Sequence, residues 1–315
     1  MAEIVSFASG KGGVGKTLLT AALGIFLSRK GKKVLLIDGD MGMRNMDLVL
    51  GLENECFYHV MDLAEGRCFA KDVILEVNDH LDFLPAAQND TWETVFPAAM
   101  DTVLEDVEDK YDYILLDCPA GRGEGIRFAE HLSDHMLLED VEDKYDYILL
   151  DCPAGRGEGI RFAEHLSDHM FLVVAPSWAS KRNAERLMTG PRKRYMTYVL
   201  NQFSLSGDTQ ISLTDMLETL DEESVSAIIP YTEEADRLAH QGELSDFSEK
   251  GALGEALALF WKSYKEEKQI PLPRWKKLLR KAEAENEREK APVKTAPAGL
   301  SWHSGSRSYK WQRRR

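Results

Sequence analysis

The chain has 315 residues, of which 43% are hydrophobic and 29% charged, and a formal net charge of −14; that is enough for one large α/β domain plus a tail. No run of about 18 or more uncharged apolar residues occurs, which excludes a membrane-spanning helix. The start MAEIVSFAS has neither the basic residues nor the apolar stretch of a secretory leader, and the four cysteines (Cys56, Cys68, Cys118, Cys152) form no CxxC pair, so a reducing, cytoplasmic setting is expected. Charge is uneven: residues 262–315 hold 16 Lys and Arg against 6 Glu, and the rest hold 23 basic against 47 acidic residues. An acidic body disfavours nucleic acid, and a basic end suits an anionic surface.

Residues 4–9 form an apolar, β-branched run and predict a buried strand. Gly10-Lys11-Gly12-Gly13-Val14-Gly15-Lys16-Thr17 follows at once and satisfies GxxxxGK[ST], with a helical pattern over residues 16–29 behind it. Strand, glycine loop and helix are the setting in which backbone N–H groups curl around phosphate oxygens and a helix N-terminus adds positive potential. Lys16 is placed to bridge the β- and γ-phosphates of a nucleotide, and the Thr17 hydroxyl to coordinate Mg²⁺.

A second strand over residues 33–38 ends in Asp38-Gly39-Asp40. Ligand groups sit at the carboxyl ends of strands in open α/β sheets, so these carboxylates suit metal and water ligation, although Asp also caps turns. Residues 81–86 read as a further strand. Residues 104–136 then recur letter for letter as residues 138–170. Each copy contains DYILLD, ending in Asp117 or Asp151, and a Walker B carboxylate belongs at such a strand end. One slot beside the phosphate-loop strand serves both. The second copy runs directly into the apolar residues 171–176, which favours residues 146–151 as the sheet strand; looping out residues 137–170 instead also leaves an intact domain.

Helical patterns at 157–165 and 179–188 alternate with strands at 171–176, 195–201 and 226–231, and a helix over 253–264 closes the series. The alternation predicts a three-layer α/β fold, with a mostly parallel, roughly seven-stranded sheet covered on both faces. The packed domain is expected to span residues 1–268. Residues 269–315 form a basic tail in which a short helix, 273–282, places Trp275, Leu278, Leu279 and Ala282 on one face. That face could lie in a lipid headgroup layer or belong to a solvated linker. His131 and His135, repeated as His165 and His169, have zinc-like spacing but no further ligand in phase, so surface polarity is the simpler reading.

KGGVGKT, with Lys11 directly after the first glycine, resembles the deviant Walker A box of the MinD/ParA ATPase superfamily. IDGDMGMRNMDLVLGLE, DCPAGRGEG and VVAPSWASKRNAERL are similar to its MinD-like branch, over roughly residues 2–265. The resemblance implies ATP and Mg²⁺ as ligands, held by Gly10 to Thr17 and Leu18, with Asn201 against the adenine ring. It implies that Lys11 reaches a partner subunit's nucleotide, that Asp40 activates water, and that Asp38 and Asp151 (or Asp117) serve the metal. It further implies an ATP-dependent homodimer on the inner face of the cell membrane, a bound division inhibitor and an ATPase-stimulating protein. A related partition or flagellar-positioning scaffold on DNA or at a cell pole is the alternative. Leu18 and the duplication depart from the family pattern.

Overall fold

The computed structural model describes residues 3–38, 44–59, 61–62, 65–87, 147–154, 169–188, 196–206 and 211–290. Eight strands form one sheet: β1 (Glu3–Ser9), β2 (Val34–Asp38), β3 (Leu75–Asn78), β4 (Leu81–Leu84), β5 (Tyr147–Ala154), β6 (His169–Val174), β7 (Met196–Phe203) and β8 (Val225–Pro230). Their spatial order is β3-β4-β2-β5-β1-β6-β7-β8. Every pairing is parallel except β3 with β4.

The expected count of seven becomes eight because of β3, a four-residue, half-exposed edge strand. Its run LEVN is too short and too polar to announce itself, and it forms by returning antiparallel to β4 through a two-residue turn. The Asn78 side chain accepts the His80 N–H in that turn at 3.0 Å.

The second repeat copy occupies the slot between β1 and β2, with Ile4 opposite Ile148 and Asp38 opposite Asp151. The pairing with β1 shifts between Phe7 and Ser9, a bulge beside the end of the phosphate-loop strand. The first copy, including Asp117, lies outside the described residues.

The described α-helices are α1 (Lys16–Ser28), α2 (Met46–Leu50), α3 (Ala70–Val73), α4 (Trp178–Leu187), α5 (Leu213–Leu220), α6 (Glu233–Gln241), α7 (Ala252–Lys265) and α8 (Leu272–Lys290), with short 3-10 turns at Glu222–Ser224 and Leu244–Asp246. α1 is buried on nearly every side, as its almost uninterrupted apolar sequence requires. Phe7, Phe171 and Phe260 stack where β1, β6 and α7 meet, with centroids 5.3, 6.3 and 4.7 Å apart. His169 Nε2 lies 2.8 Å from Thr197 Oγ1, so this histidine is a cross-strand polar contact.

α8 corrects two expectations. It runs to Lys290, because Glu283–Lys290 continues with good helix formers. Its apolar stripe is also not at the surface: Trp275, Leu278, Leu279 and Ala282 are buried and belong to the main core. An i, i+3, i+4, i+7 stripe says that a helix face is covered but not by what. Here the cover is protein, with α8 packed on α7, β8 and α6, so Trp275, Leu278 and Leu279 are not available to lipid while α8 is docked. The packed unit therefore extends past residue 268. Exposing each of these large side chains would cost about 1.5–3 kcal/mol.

Leu279→Ala is expected to lower unfolding stability in urea by about 2–5 kcal/mol, the cost of a cavity at a fully buried leucine. A loss below about 0.5 kcal/mol would show that α8 is a solvated appendage.

Candidate functional site

The chain turns sharply after β1 into the loop Gly10–Gly15, and α1 begins at Lys16. Gly13 and Gly15 both have φ 74°, which side chains tolerate poorly. At Gly15 space forbids a side chain as well, since a Cβ would come within 2.8 Å of both the Asn201 and Gln202 amides. At Gly12 and Gly13 a Cβ would meet no atom within 4 Å. The backbone of the loop is therefore open to approach at Gly12 and Gly13, as the glycines of a phosphate-binding turn need to be. Lys11, Gly12 and Gly13 are exposed, whereas Val14 and Lys16 are buried. Lys16 has its backbone carbonyl held by Thr20 Oγ1 at 3.1 Å. Ser9 Oγ donates to the Lys11 carbonyl at 3.1 Å, which closes the base of the turn. Gly10 is tightly packed against Asn183 of α4.

The carboxylates arrive on the neighbouring strands. Asp38 ends β2, is 1% exposed, and accepts the Met46 N–H on Oδ2 at 3.0 Å. Asp151 sits beside it in register, also opposite Phe7 of β1. The strand order therefore puts the ends of β2 and β5 next to the loop that follows β1. Asp40 lies in residues 39–43, outside the described set.

The chain re-enters the described structure at Arg44, whose φ is 36° and whose Nε lies 2.6 Å from Asp47 Oδ2. Both side chains are buried, at 7% and 2% exposure. Asp38 and this ion pair together hold the start of α2. Cys56 lies beside the pair, and burial pushes its thiol up to about 11, with Arg44 opposing. The ion pair is a feature that the sequence reading passed over, although its i, i+3 spacing within RNMD was visible.

A cleft opens on the other side of the loop. Leu18 and Leu19 of α1, Asn201 and Gln202 of β7, Tyr231 and Thr232 after β8, and Leu253 of α7 line it. Asn201 Nδ2 donates to the carbonyls of Val14 at 2.9 Å and Gly15 at 3.2 Å. This side chain thereby braces the phosphate loop as well as lining the cleft. Gln202, with φ 57°, and the Tyr231–Thr232 turn also escaped the sequence reading. The Thr232 hydroxyl accepts the Ala235 N–H at 3.3 Å and caps α6. Burial, then the Asp236 and Glu233 carboxylates, raise the Tyr231 phenol above its ordinary value, so it stays protonated at neutral pH. The site thus brings together an open glycine turn, the buried Asp38 carboxylate at the end of β2 and a narrow, partly apolar cleft of about 20 Å³.

Comparison with known proteins agrees with that geometry. Residues 2–137 match the family described as an AAA domain. Septum site-determining protein MinD of Synechocystis is 45% identical over 131 residues, 41% of this chain and 49% of that protein. The MinD of Bacillus subtilis is 40% identical over 132 residues, with 41% and 49% covered. The chain spans about half the length of these curated relatives. Among solved structures, the MinC:MinD cell division protein complex of Aquifex aeolicus aligns with a TM-score of 0.63 at 28% identity, over 86% of this chain and 98% of that one. MinD of Pyrococcus horikoshii complexed with Mg-ADP shares the fold, with a TM-score of 0.60 at 22% identity over 85% and 97% of the two chains. The family match ends at residue 137, the residue between the two repeat copies, so it includes the first copy while the sheet holds the second.

Arg44→Ala strands a buried carboxylate and is expected to cost about 3–5 kcal/mol of stability in urea denaturation. Replacing the pair together, Arg44→Met with Asp47→Leu, is expected to return most of that loss.

Proposed function

We propose that this chain, which is similar to MinD proteins over its first 137 or so residues, is a member of the MinD/ParA superfamily and an ATP-dependent dimerising switch that hydrolyses ATP to time its own release from partners. The single observation that carries this reading is the open glycine turn at the end of β1, with Asp38 and Asp151 in register on the two strands that follow it across the sheet. On this reading Lys16 neutralises the β- and γ-phosphate oxygens, and the backbone amides of residues 12–17 hold the rest of the chain of phosphates. Thr17, Asp38 and Asp151 are the groups to hold Mg²⁺ and its waters, and bound Mg²⁺ would supply charge neutralisation at the reacting phosphate. Asp40 orients the attacking water. Asn201 keeps the loop carbonyls turned away from the phosphates, because its amide occupies them.

Lys11 is exposed on the glycine turn. That position suits a lysine serving the nucleotide of a second copy, which makes ATP part of the dimer contact. A division inhibitor is the proposed cargo, by analogy with the Aquifex complex. Attachment to an anionic membrane on the inner cell face, if it accompanies dimerisation, falls to residues 291–315, which carry six basic and no acidic residues. The acidic body supports this over a scaffold on DNA.

Two variants separate binding from switching. Lys16→Ala is expected to weaken Mg·ATP binding at least about 100-fold in a fluorescent-analogue titration. Lys11→Ala is expected to bind within a few-fold of the parent chain yet stay monomeric with ATP in light scattering. A Lys11→Ala chain that dimerises and turns over normally sinks the switch, while wild-type protein that takes up no nucleotide sinks the whole reading. Pelleting with DNA without ATP, and none with anionic vesicles, would favour the scaffold.

A further inference from the structure

Three segments that wall the cleft beside the phosphate loop are held from behind by one turn of α8. The segment leaving β7, just past Asn201 and Gln202, is gripped by Glu283: its Oε1 accepts the Ser206 N–H at 2.7 Å and the Ser204 hydroxyl at 3.2 Å. The turn between β8 and α6 is bracketed by Asn286, whose Oδ1 accepts the Glu233 N–H at 2.8 Å and whose Nδ2 donates to the Tyr231 carbonyl at 3.1 Å. Thr232, which lines the cleft, lies between those two bonds. The start of α7, which carries Leu253, is held by Glu285, whose Oε2 accepts the Ala252 N–H at 2.9 Å.

The three side chains occupy positions i, i+2 and i+3, and the buried stripe of Trp275, Leu278, Leu279 and Ala282 presses the same helix onto the core. The apolar face supplies the docking energy, and the polar face fixes where each wall segment stands. The β7 exit, the β8 exit and the α7 start are far apart in sequence. Among the described residues, α8 alone bonds to all three through side chains.

We infer that α8 is a strap that sets the shape of the cleft, with Asn286 and Glu283 as positioning residues for the base end of a bound nucleotide. The inference rests on the nucleotide reading above and adds to it a division of labour. The phosphate end is organised by the loop after β1 and does not depend on the strap. The base and ribose end does, because the groups facing it are aimed by bonds that α8 makes. Linkage then runs both ways: a ligand that fills the cleft tightens α8, and a ligand that occupies only the glycine turn does not.

The test compares Mg·ATP with Mg·tripolyphosphate, which has no base, by calorimetric titration of the full chain. Asn286→Ala removes both bonds; Asn286→Asp keeps an acceptor for the Glu233 N–H and loses the donor to Tyr231. Asn286→Ala is expected to weaken ATP about tenfold, the effect of losing one or two ordinary hydrogen bonds, with tripolyphosphate unchanged within about twofold and Asn286→Asp between the two. Equal weakening of both ligands would reduce α8 to a general support and overturn the inference, as would no change for either. Should the variants fold poorly, hydrogen exchange on the unaltered chain decides: ATP, and not tripolyphosphate, is expected to slow the amides of Ser206, Glu233 and Ala252. Equal protection by both ligands, or by neither, overturns the inference. Failure of the unaltered chain to bind ATP at all would count against the proposed function instead.

Discussion

Parallel pairing of β1 on both flanks is the constraint from which the rest of the molecule follows. With β5 on one side and β6 on the other, β1 has no free edge, and its backbone groups are satisfied by neighbours along most of its length. The chain can then leave its carboxyl end only by turning away from the sheet, and Gly10–Gly15 makes that turn. The amides of the turn are left without sheet partners at the point where β2 and β5 deliver Asp38 and Asp151. The chemistry of the site is therefore a by-product of strand order. Moving β1 to an edge would keep every residue of the motif and scatter its partners.

Much of this was legible in the residues, for reasons that differ from element to element. The phosphate loop was readable because its spacing is set by covalent geometry and needs no tertiary partner. The central strands were readable because burial on both faces leaves an unbroken apolar run, as in FLVV of β6. β3 was not, since a short edge strand is specified by what it pairs with. The resemblance implied Asn201 against the adenine ring; its bonds to the Val14 and Gly15 carbonyls were not legible, because they depend on a residue pair 187 positions apart. The stripe on α8 shows the limit most clearly. Periodicity identified Trp275, Leu278 and Leu279 as one face, but a helix face carries no mark that distinguishes lipid from a neighbouring helix. The continuation through Glu283, Glu285 and Asn286 did carry a signal, because a docked helix needs polar groups placed to meet the backbone ends that it covers.

The polar side chains that hold backbone in place divide into two kinds. Arg44 and Asp47 neutralise each other at the start of α2. On α8, Asn286 and Glu285 satisfy N–H groups at the starts of α6 and α7, a need that every helix N-terminus creates, and Glu283 does the same for the segment leaving β7. Both kinds convert an obligatory cost into a fixed distance, and fixed distances are what a site for a charged ligand requires.

The position of β5 has a further consequence. Between β4 and β5 lie 62 residues, and between β5 and β6 lie 14. Had residues 113–120 of the first copy taken the slot, the intervals would be 28 and 48. Loop-closure entropy depends on the logarithm of length, so the two arrangements differ by less than about 1 kcal/mol. The pairing surface itself cannot tell them apart, because the letters are the same. A sheet joined by crossovers thus reads a tandem copy as a synonym: an in-frame stutter lengthens the thread between rungs and leaves the ladder spelled as before.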